Sequence, residues 1–159
     1  MNREEDMAGY AKQGTATPLA PVNEIKILVT ITDVAADGMA VFTLEGEFPP
    51  DHPYVDNGTK TIKVPRGSPD VKLIYKLRDR TNPSKDLDFC RSSPIWVTGD
   101  MNSCPTTACS EAEIELDSVK KKQLEVIDHN SGPGQFRFSL VLDSDSGRVL
   151  ADPIIRNEP

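Results

Sequence analysis

The strongest constraint on this chain is a rhythm of two. In Glu24-Ile25-Lys26-Ile27-Leu28-Val29-Thr30-Ile31-Thr32 the β-branched residues Ile25, Ile27, Val29 and Ile31 occupy every second position. Side chains alternate across an extended strand, so this spacing lays one apolar face against a core, whereas a helix would scatter the same residues around its circumference. The rhythm returns in Met39-Ala40-Val41-Phe42-Thr43-Leu44 ahead of Pro49-Pro50, and in Thr61-Ile62-Lys63-Val64 ahead of Pro65. It returns again at Val71, Leu73, Tyr75 and Leu77, and at Phe136, Phe138, Leu140 and Leu142. Asp145-Ser146-Gly147 then turns the chain into Arg148-Val149-Leu150-Ala151, which reads as the second arm of a hairpin.

Ser110 to Asp128 admits two readings. Ser110-Glu111-Ala112-Glu113 matches a helix capping box, but Ala112, Ile114 and Leu116 alternate, as do Leu124 and Val126, which makes two strands joined around Lys120-Lys121-Lys122. The strand reading is preferred. The expected fold is therefore all-β: an immunoglobulin-like antiparallel β-sandwich of about seven or eight strands. It should span residues 24–159, behind a flexible arm at residues 1–23 that is polar, carries Pro18 and Pro21, and shows no apolar period.

Charge narrows the partners. Lys+Arg number 18 against 25 Asp+Glu, a formal charge of −7, so nucleic acid would be repelled unless basic residues were gathered on one face. The one basic run, Lys120-Lys121-Lys122, reads as a solvated turn. Mean hydropathy is −0.41, and no apolar run reaches the roughly 20 residues that cross a bilayer, so no membrane span is expected. The opening residues lack the apolar core of a secretory signal, and cytoplasmic residence is expected.

Asp152-Pro153-Ile154-Ile155-Arg156-Asn157-Glu158-Pro159 pairs two acid-proline dipeptides. Proline lacks an amide donor and pushes its predecessor toward extended geometry, so Asp152-Pro153 should interrupt or edge a strand and Glu158-Pro159 should stop one. Together with Leu124-Glu125-Val126-Ile127-Asp128-His129-Asn130 and Phe136-Arg137-Phe138, this segment resembles the bacterial DP-EP family, named for the two dipeptides. The resemblance covers residues 24–159 and implies a small bacterial sandwich protein of a family with uncharacterised function. It carries over no catalytic residue. Asp152, Pro153, Glu158 and Pro159 match as a signature.

Chemistry is sparse. Cys90, Cys104 and Cys109 are expected to be thiols, although Cys104 and Cys109 with His129 or His52 form a candidate metal set whose spacing is looser than that of a zinc knuckle. Asp143-Ser144-Asp145-Ser146-Gly147 opens like a calcium loop but lacks the later oxygen ligands, and is read as a turn. Asn57-Gly58-Thr59 fits a glycosylation site and, better, a hairpin turn. Asp51-His52 and Asp128-His129 are adjacent pairs whose side chains would point to opposite faces of a strand. Trp96 is expected in the core between the sheets. No nucleophile elbow, phosphate loop or zinc-protease motif is present, so no enzyme activity and no cofactor are expected. The expected role is a non-catalytic binding module, or one that self-associates or docks a protein through its edge strands. The alternative is a metal-binding protein or enzyme built on Cys104, Cys109 and a histidine.

Overall fold

The computed structural model describes residues 19–102 and 105–159, which contain strands and no helix. Twelve strands are present among them: β1 (Glu24–Val34), β2 (Ala40–Glu47), β3 (Val55–Asp56), β4 (Thr61–Val64), β5 (Val71–Asp79), β6 (Asp88–Phe89), β7 (Ile95–Thr98), β8 (Ile114–Val119), β9 (Gln123–Asp128), β10 (Gly134–Ser144), β11 (Gly147–Ala151) and β12 (Ile154–Asn157). They form a five-stranded sheet ordered β2-β1-β5-β9-β8 and a seven-stranded sheet. In the second, β10 is the hub: β11 and β12 follow one another along one edge, and β6 and β7 follow one another along the opposite edge. The other edge of β12 pairs with β4, which pairs with β3.

The alternating residues do what their spacing predicts. Ile25, Ile27, Val29 and Ile31 join Val71, Leu73, Tyr75 and Leu77 from the first sheet, and Ile62, Val64, Phe138, Leu140 and Leu142 from the second, in one shared core. The Tyr75 and Phe138 rings meet across the sheets with centroids 5.9 Å apart. Each such side chain taken fully out of water contributes about 1.5–3 kcal/mol before chain entropy is set against it.

The sheets are mixed rather than purely antiparallel, because β1 runs parallel to β5 and β4 parallel to β12. Parallel neighbours need a long crossover, and here each pair is joined by distant parts of the chain, which no local pattern announces. The strand number exceeds seven or eight partly because β3 and β6 are two residues long, too short to show a period. Around the three lysines the strand reading holds: β8 and β9 pair antiparallel, and Lys122 pairs with Asp88 at 2.9 Å.

Asp152-Pro153 separates β11 from β12 without changing their register on β10. The Phe138 amide donates to Pro153 O, and Pro153 has no amide to return the bond, so the ladder loses a rung there. Beyond it the chain gains β4 as a second neighbour, and β12 ends at Asn157, directly before Glu158-Pro159. Residues 1–18 of the expected arm lie outside the described residues. Residues 19–23 are fixed to the body: Val22 packs on the core and donates to Ser68 Oγ at 2.9 Å, and Ala20 O accepts from the Tyr54 hydroxyl.

Trp96 is buried, yet not between the sheets. Val97 faces the shared core, so its neighbour on β7 must face away. There Trp96 joins Cys90 and Val141 in a second, smaller cluster, against which Cys109 packs. The segment following β7 reaches across this face, where Pro105 O accepts from the buried Ser139 hydroxyl at 2.7 Å. The indole donates to Ser93 Oγ, and the Arg148 guanidinium lies over the ring at 5.2 Å.

Candidate functional site

The sequence candidates are dispersed. Cys104 lies outside the described residues. Cys109 sits beside β7, its carbonyl accepting from the Val97 amide. His129 stands at the end of β9 in the other sheet, with Nδ1 at 2.7 Å from Asp70 Oδ1 and Nε2 at 2.9 Å from Glu115 Oε1. Two carboxylates facing both ring nitrogens call for a proton on each, and they hold the imidazole pKa above its ordinary value, Asp70 first and Glu115 second. Both nitrogens are thereby committed. Among the described residues, no group of three or more His, Cys, Asp or Glu is placed to hold a metal.

His52 is buried in the segment after β2, with Nε2 at 2.9 Å from Lys26 O. Asp128 and His129 do face opposite ways: Asp128 is fully buried and His129 is at the surface. Asp145-Ser146 forms a two-residue hairpin turn in which Ser144 Oγ donates to Gly147 O and accepts from the Ser146 amide. The serine oxygen is thus spent on the backbone. Asn57-Gly58 lies in the turn between β3 and β4, where Asp56 Oδ1 accepts from the amides of Gly58 and Thr59.

That turn borders the feature that the sequence reading missed. On the outer face of the seven-stranded sheet, Lys63, Arg156 and Gln135 stand side by side on β4, β12 and β10. With Thr61, and with Asp56 and Thr59 from the turn, they line a cleft of about 310 Å³ floored by Ile154. Ile62, Ile155 and Asn157 face inward, so Lys63 and Arg156 necessarily face out. Two cations abreast would repel, and two acids relieve them. Glu158 pairs with Arg156 Nε at 3.0 Å, and the charge of Asp56 acts on Lys63. The Asp56 carboxyl is held below its ordinary pKa chiefly by the Thr59 amide, with the Thr59 hydroxyl, the Gly58 amide and Lys63 adding to it. The Thr59 hydroxyl also lies 2.9 Å from Thr61 Oγ1, and the Thr61 hydroxyl donates to Thr59 O at 3.2 Å.

The cleft thus offers the Lys63 and Arg156 cations and the Gln135 side-chain amide on neighbouring strands, with the Asp56 carboxylate at its rim. Such a set can recognise and orient a ligand. Its signal was absent from local sequence because its members come from residues 56–63, 135 and 154–156, gathered by two registers. No helix among the described residues is long and apolar enough to cross a membrane. Neither the protein-family models nor the curated proteins contain a match to this chain.

Proposed function

We propose that this protein is a non-catalytic binding module on an immunoglobulin-like sandwich, and that its ligand carries a carboxylate or another oxyanion. The reading rests on one observation: in a chain of net charge −7, Lys63 and Arg156 are brought abreast over a cleft of about 310 Å³, with Gln135 beside them. Arginine and lysine over a shaped floor are what an oxyanion requires, and Asp56 at the rim gives a hydroxyl or amine of the same ligand its acceptor. The immunoglobulin-like assignment is supported by the shared core of two facing sheets and the predominance of antiparallel pairs.

Self-assembly through edge strands has less to support it. The edge strand β8 exposes Leu116 but flanks it with Glu115 and Asp117 and carries a register shift, the devices that keep edges from pairing. At the other edge of that sheet, Asn57 Oδ1 accepts from the Leu44 amide of β2 at 2.8 Å.

The test is a titration of isotope-labelled protein with a panel of small carboxylates, acidic sugars and phosphate esters, followed through the amide signals of Lys63, Gln135 and Arg156. Saturable shifts confined to that row are expected, with at least about tenfold weaker binding in Lys63→Ala and Arg156→Ala. Shifts elsewhere, or affinity unchanged in both variants, would overturn the proposal.

A further inference from the structure

Directly behind the cleft the sheets are joined by buried polar groups. Asp128, Asn157 and Tyr75 are each at most 1% exposed, on β9, β12 and β5. One carboxyl oxygen of Asp128, Oδ1, accepts from the Asn130 amide at 2.9 Å and from Asn157 Nδ2 at 3.2 Å. The Asn157 bond crosses from one sheet to the other. Three atoms have no hydrogen-bond partner: Asp128 Oδ2, Asn157 Oδ1 and the Tyr75 hydroxyl. An ionised Asp128 therefore leaves one charged oxygen, Oδ2, buried without a donor, and protonation removes that charge from the interior. Asn130 completes the frame from the loop side, its Nδ2 donating to Pro65 O and Ser68 O.

We propose that Asp128 is a proton-operated latch between the two sheets: protonated, it keeps the interior beneath β12 uncharged and dry, and ionised, with Oδ2 buried and without a donor, it draws in water and loosens the end of β12 that carries Arg156 into the cleft. The consequence for the cleft rests on the binding role argued above, while the latch itself does not. Arg156 and Asn157 are consecutive on one strand and point to opposite faces, so the residue that meets ligand and the residue that meets the latch cannot move independently.

The surrounding charges act in known directions. Burial raises the Asp128 pKa to about 6 from 3.8, against the Asn130 amide and Asn157, which lower it. Glu113, ahead of β8, raises it further, and His129, next along the chain, lowers it. Glu113 is itself held by the amide and hydroxyl of Ser131. From β5, Tyr75 is the facing titratable group, its phenol pushed well above the ordinary range by burial and then by the charge of Asp128.

The experiment follows the Asp128 carboxyl carbon and the Arg156 and Asn157 amides by NMR between about pH 4 and pH 8, with hydrogen exchange on the same amides. The expected result is one inflection near pH 6 shared by the carboxyl carbon and both amides, with faster exchange above it. Asp128→Asn keeps the shape of the side chain without its charge, so it should fold, remove the inflection from the amides and keep their exchange slow. His129→Gln, which removes a charge that lowers the Asp128 pKa, should keep the inflection and move it slightly upward. An Asp128 carbon that ionises near its ordinary value, or an amide inflection that survives Asp128→Asn, overturns the latch. No step uses a ligand, so a cleft that binds nothing would defeat the binding role and leave the latch standing.

Discussion

Gly46 on β2 and His52 in the following turn are packed so closely that a β-carbon on residue 46 would lie 2.7 Å from the imidazole ring. The ring has little room to give way. It is 7% exposed, it bonds Lys26 O through Nε2, and its centroid lies 5.4 Å from that of Tyr54. Because a carbonyl only accepts, Nε2 must carry the proton. Gly46→Ala should therefore cost about 1–3 kcal/mol, as overpacking does, in urea denaturation. Adding His52→Ala should recover part of that loss, and strict additivity of the two changes would show that the contact is not the cause.

Asp79 at the end of β5 organises the loop that leads to β6. Its two oxygens accept from the Thr81 amide and hydroxyl, the Ser84 hydroxyl and the Leu87 amide. Burial pulls its pKa upward, and these bonds together bring it down to about 2 from 3.8. A lowered folded pKa means stability present above about pH 4 and lost as pH falls toward 2. Asp79→Ala should cost about 1.5–3 kcal/mol at neutral pH. Acid titration of the variant should then lack part of the wild-type loss below pH 4.

His129 has the opposite sign. Its raised folded pKa gives stability that is complete below 6.5 and is lost as pH rises through the folded value. The ion pairs lie at the surface, where salt and water screen them, so the effect is small. Thermal unfolding of His129→Gln should show a flatter dependence on pH across neutrality than wild type, and the difference should shrink in high salt.

Tyr75→Phe removes a fully buried hydroxyl that has no hydrogen-bond partner. The Phe138 contact and the packing of the ring persist. Stability should stay within about 1 kcal/mol of wild type or rise, since an unsatisfied buried hydroxyl carries a desolvation cost of that order. A loss beyond about 2 kcal/mol in denaturant unfolding would mean that the hydroxyl is satisfied in solution.

The long strands were legible because each carries its own evidence. Ile25 to Ile31 and Val71 to Leu77 name their buried face without reference to anything else, and so does Phe138 to Leu142. Trp96 was half legible: a large apolar residue between Ile95 and Val97 had to be buried, but only the parity of Val97 and the path of the chain after β7 decided on which side. Asp128 was read merely as the neighbour of His129. That it bonds Asn157, in the segment that carries the two acid-proline dipeptides, depends on β9 and β12 facing one another from different sheets.

The sequence by itself determined that this chain is built from strands, where the long ones run, and that Asp152-Pro153 would break one of them. These are properties of neighbouring residues, fixed by the alternation of side chains and by the missing amide of proline. Only the tertiary structure decided which strands pair, that β1 joins β5 and β4 joins β12 in parallel, and hence that Lys63 stands beside Arg156 over the cleft. Backbone ladders are made of the same donors and acceptors whatever the side chains, so a strand does not name its partner. The partner is set by the burial that distant segments achieve together.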